Sequence, residues 1–123
     1  MPYYQIENWD ENYETPESKG YKTLHWVAIK NSFDGTLFKR LIKQPEPARV
    51  FAIAVLMAEI ASRSPKGYRG KLIKSDLSTG YTPEDMADKT GIPLDDFLFA
   101  IPILIKIKWI SFIDAPKKLK EIA

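Results

Sequence analysis

The sequence predicts a mainly α-helical domain with a small β-sheet (α+β), on three observations. From Tyr81 to Ile110 the run YTPEDMADKTGIPLDDFLFAIPILIKIKWI reads as two capped helices joined by a tight Gly-Ile-Pro turn and followed by an apolar strand. Ahead of it, PARVFAIAVLMAEIASRS is apolar almost all round, as a buried central helix is. Short segments of alternating or continuous apolar character flank these helices and supply the sheet. Two closely joined helices running into a strand make a winged helix-turn-helix, and that is the expected fold.

Composition sets the outer bounds. At 123 residues, 45% hydrophobic and 28% charged, the chain has the size and balance of one globular domain. Cysteine is absent, which excludes disulfides and thiolate metal sites, and the lone His25 cannot build a zinc site of the usual kind. Neither a metal nor a cofactor is expected, and a reducing cytoplasm is the expected compartment. The first twenty residues carry five acids and no apolar core segment, unlike a secretory signal. No apolar run approaches the roughly 18 residues of a membrane span, so no membrane partner is expected.

Net charge divides unevenly along the chain. Residues 1 to 20 hold five acids and one lysine, a charge of −4, whereas residues 21 to 123 hold 17 bases and 11 acids, a charge of +6. Three parts follow: an acidic aromatic arm over 1–23, a winged-helix domain over 24–114 and a basic tail over 115–123. The arm carries Tyr3, Tyr4, Trp9, Tyr13 and Tyr21, and so many aromatics point to packing on its own domain or on a neighbouring subunit.

In LHWVAIKNSF, Leu24, Trp26 and Ala28 alternate with His25, Val27 and Ile29, which predicts a strand closed by Asp34 and Gly35. TLFKRLIKQ then places Leu37, Phe38, Leu41 and Ile42 at helical spacing with Lys39, Arg40 and Lys43 opposite, a short amphipathic helix. Pro45 and Pro47 break it, and Pro47 suits the first turn of the apolar central helix. Ser64, Pro65 and Gly67 end that helix, and YRGKLI over 68–73 follows as a short strand or extended link.

The Tyr81–Ile110 unit is the most sharply marked. Thr82 can cap the first helix, Pro83 suits its first position, and Glu84 and Asp85 complement the helix dipole. Gly91 is placed for a left-handed end, with Pro93 opening the second helix. There Leu94, Phe97, Leu98, Ile101, Leu104 and Ile105 form a wide apolar stripe, interrupted by Pro102. A proline in an unconstrained helix interior costs about 3 kcal/mol, so a kink or local unwinding is expected at Pro102. Trp109, Ile110, Phe112 and Ile113 read as the closing strand.

No chemistry of an enzyme is legible. Asp95/Asp96 and Glu84/Asp85 are adjacent pairs that point different ways round a helix, and His25 stands without a nucleophile motif or ligand set, so no catalytic residue is expected. Lys71 is followed by Leu72, which breaks the phosphate-loop spacing. The densest basic run is Arg63, Lys66, Arg69, Lys71 and Lys74, interleaved with Tyr68 and with glycines that admit close approach. Lys106 and Lys108 are positioned to extend such a patch around a wing, as are Lys117, Lys118 and Lys120. The candidate recognition helix itself opens with Asp95 and Asp96, which repel phosphate and favour a scaffold role for it.

The order from the Trp26 segment through the Arg69-Gly70-Lys71-Leu72 link, the Thr82, Glu84, Ala87, Gly91, Ile92 framework and Trp109-Ile110 resembles the winged-helix amino-terminal domains of bacterial primosome and phage replisome-organiser proteins. The likeness covers roughly residues 24 to 113. It implies DNA binding, self-association or both. The expectation is therefore a non-enzymatic DNA-binding module of a phage or bacterial replication or transcription-control assembly. Its contacts would be Arg63, Lys66, Tyr68, Arg69, Lys71, Lys74, Lys106 and Lys108. The alternative is a protein-interaction or homodimerisation domain without direct DNA binding, in which Tyr3, Tyr4, Trp9 and Tyr13 meet a second copy or a replisome partner.

Overall fold

The long apolar helix expected at the centre runs from Pro47 to Ser62, and the rest of the domain packs around it. A computed structural model of the chain describes residues 2–27, 29 and 35–114. In chain order the elements are β1 (Pro2–Ile6), α1 (Trp9–Tyr13), a single 3₁₀ turn (Ser18–Gly20), α2 (Thr36–Ile42), α3 (Pro47–Ser62), α4 (Pro83–Thr90), α5 (Leu94–Lys106) and β2 (Ile110–Asp114). The basic tail, Asp34 of the expected turn and five positions of the expected Trp26 strand, Ala28, Lys30, Asn31, Ser32 and Phe33, lie outside the described residues.

Helix α3 starts on Pro47, whose missing N–H costs nothing in a first turn. It buries Val50, Ile53, Ala54, Met57, Ala58, Ile60 and Ala61, and α5 lies across it with Phe97, Ala100, Ile101 and Leu104. Alanine on both helices lets the backbones come close. From α2 only Leu41 is fully buried, while Ile42 is half exposed.

The turn between α4 and α5 is built by local chemistry. The Thr82 hydroxyl accepts from the Asp85 N–H at 3.1 Å, and the Asp85 carboxylate accepts from the Thr82 N–H at 3.0 Å, a reciprocal capping box. Gly91 takes φ 76°, and Pro93 precedes the first residue of α5. At its far end α5 closes on Lys108 in the left-handed region, φ 65°, with the Lys108 and Trp109 N–H groups donating back to Ile105 and Leu104.

The capping box has a pH signature. Hydrogen bonds from Thr82, aided by the charge of Lys74 at 3.4 Å, hold the Asp85 carboxyl below its ordinary value. A group whose folded pKa is depressed adds stability above its unfolded pKa and loses it as pH falls through the folded one. Thr82→Ala is therefore expected to cost about 1 kcal/mol at pH 7, and Asp85→Asn to flatten the acid limb of stability. Urea midpoints measured from pH 7 down to pH 2 check both, and an unchanged acid limb in Asp85→Asn would remove the cap from the account.

Of the two effects expected at Pro102, local unwinding does not occur: the helix continues through it to Lys106. Pro102 is exposed, and so is Leu98, whose carbonyl loses its N–H partner; that carbonyl sits on the wet side of the helix, where water can serve it.

The first residues pack on the domain itself, one of the two expectations for the arm, and do so as a strand: β1 pairs antiparallel with β2, in a two-stranded sheet, in the register Tyr3↔Ile113, Tyr4↔Phe112 and Ile6↔Ile110. On its other edge the Ile6 N–H donates to Gly70 O at 2.7 Å and the Leu72 N–H to Tyr4 O at 2.8 Å. The 68–73 link is thus extended against β1, with a further bridge between Ile73 and Gly80. Both edges of β1 are then occupied, and no backbone bond among the described residues joins Leu24–Val27 to a strand. Those four residues and Ile29 are irregular instead of the strand their alternation predicts.

Candidate nucleic-acid interface

The expected basic run is taken apart by the fold. Arg69 is not at the surface: its side chain is 5% exposed and pairs at 3.0 Å with Glu14, itself 4% exposed. The guanidinium also donates to Ser18 O at 2.9 Å and to Tyr21 O. Glu14 in turn accepts from the Trp9 indole at 2.6 Å and the Ser18 hydroxyl at 3.2 Å. Arg69 therefore has no free face for a phosphate.

Lys71 is half-buried, its ammonium 6.0 Å from the Tyr3 ring centre and 5.8 Å from that of Tyr68. Tyr68 is likewise half-buried, and Lys74 is tied to Asp85. Arg63 and Lys66 are exposed, and no ion pair among the described residues involves either. The Lys66 ammonium donates to Gly20 O at 3.1 Å.

Lys106 and Lys108 are exposed, but at the other end of the core. There Arg40 donates to Ile107 O at 2.9 Å, which brings the basic face of α2, with Lys39 and Lys43, beside the end of α5. Cations at two helix C-termini complement the dipoles and need no ligand to explain them. Trp109 packs against Phe51, and about 18 Å of α3 separates Phe51 from Arg63, so the two basic groups do not form one patch.

What Arg69 does is hold a wall. By binding the carbonyls of Ser18 and Tyr21, it fixes the segment that continues through Lys22, His25 and Trp26 to lie beside the end of α3. Between them is an open cleft of about 810 Å³ lined by Lys22, His25, Trp26, Glu59, Arg63 and Ser75, among others. Its floor is set by Ser62 and Ser64, whose hydroxyls donate to Glu59 O and Lys71 O at 2.7 and 2.6 Å. Trp26 is 73% exposed. Lys22, His25 and Trp26 join Arg63 here, while Lys66 is held outside the lining by its bond to Gly20 O. Their part was hidden in the sequence because the alternation of LHWVAIK assigned Trp26 to a sheet.

Helix α5 is poorly equipped to read a groove. Asp96 is paired with Arg49 at 2.7 Å, and that guanidinium lies 4.2 Å over the Phe99 ring. The solvent face carries Leu98 (49% exposed), Pro102 and Ile105 (38%), at spacings of four and three, with Lys106 in the last turn as its donor.

The aromatic residues of the arm are largely engaged with their own domain, the first of the two expectations for them. Tyr3 and Trp9 are buried; Tyr13 stacks on Trp9 at 4.9 Å and accepts from the Trp109 indole at 3.3 Å; Tyr4 packs against Phe112 at 5.0 Å. Burial raises the phenol pKa of Tyr13. A hollow of about 590 Å³ beside them is apolar, formed by Tyr13, Phe38, Phe51 and Trp109, and Glu7 and Glu11 line it, which opposes an anionic ligand.

Among the described residues no group of three acidic or histidine side chains could hold a metal ion, and no helix is long and apolar enough to cross a membrane. No protein-family model, curated protein or solved structure matches the chain.

Proposed function

We propose that this chain is a non-enzymatic winged-helix module that binds DNA mainly through phosphate contacts, within a phage or bacterial replication or transcription-control assembly. The observation that carries the reading is the cleft at the end of α3. There Lys22 and Arg63 line an open hollow, exposed and unpaired with any described carboxylate, and the exposed Lys66, likewise unpaired, reaches Gly20 O, two residues before Lys22. The helix-turn-helix of α4 and α5 running into β2 supports the winged form, with β2 in the wing's place and its partner strand drawn from the first residues. In this reading α5 is scaffold, and the phosphate contacts come from the loop after α3 and the segment after Tyr21.

Three phosphate contacts correspond to a slope of log K against log salt of about −3 on duplex and about −2 on a single strand. Anisotropy of labelled DNA from about 50 mM salt upward should give such slopes, and Lys22→Ala/Arg63→Ala/Lys66→Ala should flatten them. Absence of binding, or binding indifferent to salt, sinks the proposal.

The apolar solvent face of α5 favours a second reading, a protein-interaction domain whose partner is another copy or a replisome protein. Light scattering of a concentrated sample that returns the monomer mass of 14.1 kDa removes its homodimer form.

A further inference from the structure

We infer that the cleft beside the end of α3 is a stacking site for an unpaired nucleobase, with the Trp26 indole as its platform, so that the ligand class is single-stranded nucleic acid. The inference rests on the DNA-binding reading and narrows it.

The chain has three tryptophans, and two are used internally. Trp9 is buried and donates to Glu14, and Trp109 is half-buried and donates to Tyr13. Trp26 differs on both counts: it is 73% exposed, and no described hydrogen bond uses its indole N–H. A large flat apolar ring left in water is costly and stabilises nothing in this domain. Its neighbours indicate what covers it. Lys22 and Arg63 line the same cleft, His25 stands next to it in the chain and is exposed, and Tyr21, also exposed, precedes the segment.

An aromatic platform among cations matches a ligand whose repeating unit is a flat ring on an anionic backbone. A peptide would supply the ring without the regular charge. A duplex would supply the charge, but its base faces are already stacked, leaving only edges, to which an indole offers one donor. A single strand supplies both. The cleft also contains one carboxylate, Glu59, which repels phosphate and is able to accept an N–H from a base edge. Phosphates are thereby favoured at Lys22 and Arg63 and disfavoured at Glu59, and the base is left to Trp26.

The platform is also a reporter. Because Trp26 is the most exposed tryptophan, stacking of a base on it quenches the part of the emission that comes from an indole in water. The test titrates the full chain, at fixed low salt, with a dT oligomer of about twelve nucleotides and separately with a duplex of equal length, following both fluorescence and anisotropy. The wild type should be quenched by the oligomer. Trp26→Ala should weaken oligomer binding about 5- to 150-fold with the salt slope unchanged, because the phosphate contacts remain. Trp26→Phe should keep most of the affinity and lose the quench. Both variants change an exposed side chain, and an unchanged urea midpoint shows that they fold.

Oligomer binding unaffected by Trp26→Ala, a quench that persists in Trp26→Phe, or equal weakening toward duplex and oligomer each overturns the inference. Duplex binding without oligomer binding overturns it while leaving the DNA-binding reading intact. Failure of both ligands to bind removes the two together.

Discussion

Replacing Arg69 by methionine is expected to destabilise the protein by about 3–5 kcal/mol, the largest loss of any single side chain outside the apolar core. The reason is what the replacement leaves behind. The Glu14 carboxylate would remain buried with only the Trp9 indole and the Ser18 hydroxyl as donors, and the carbonyls of Ser18 and Tyr21 would lose theirs. Arg69→Lys should recover little, because one ammonium cannot span three acceptors that a planar guanidinium reaches at once. Glu14→Gln added to Arg69→Met should recover part of the loss by removing the stranded charge. Urea unfolding of the four proteins reads this directly, and an Arg69→Met cost below about 1 kcal/mol, the range of an exposed ion pair, would contradict the buried network.

Gly70→Ala is expected to cost about 2–5 kcal/mol, from two additive causes. Gly70 has φ 88°, where a side chain is strained, and an added Cβ would lie 2.7 Å from both Cβ and Cγ of Trp9. Two other glycines separate the causes. Gly67, at φ 94° with nothing within 4 Å of the added carbon, should show the backbone cost alone, about 1–2 kcal/mol. Gly80 lacks a positive φ but would bring a Cβ to 2.5 Å from the Pro2 carbonyl oxygen, so it should show the packing cost, about 1–3 kcal/mol. The three alanine variants compared by urea unfolding should rank Gly70 worst; a Gly70→Ala no worse than Gly67→Ala would mean that Trp9 moves aside freely.

What could be read in advance from the chain was local. The capping box spans Thr82 to Asp85, and Gly91 ends the same helix six residues later, so both are written in a short window. The apolar circumference of α3 and the closing strand at Ile110–Asp114 are equally local. What could not be read depended on distant partners. PYYQI has no clear alternation, and it is a strand because Tyr3 finds Ile113 and Tyr4 finds Leu72, far along the chain. Arg69 looks like any loop cation until Glu14, 55 residues earlier, is placed against it. The same holds for the cleft: Lys22, Trp26 and Arg63 share it because Arg69 pins the segment after Ser18, a contact with no signature in either stretch. Trp26 was misassigned for the complementary reason, since its alternating neighbours satisfied a strand pattern with no strand to pair with.

The central place of β1 sets an order of events for a chain made from its first residue onward. Pro2–Ile6 emerges first, yet one of its two neighbours in the sheet is Ile110–Asp114, which emerges only after all five α-helices have been made. Until then β1 carries one open edge. Pairings this remote in sequence close late and slowly, and exposed edges of this kind are where nascent chains associate wrongly. Within this domain the strand Pro2–Ile6 is thus fully paired only once Ile110–Asp114 has been made.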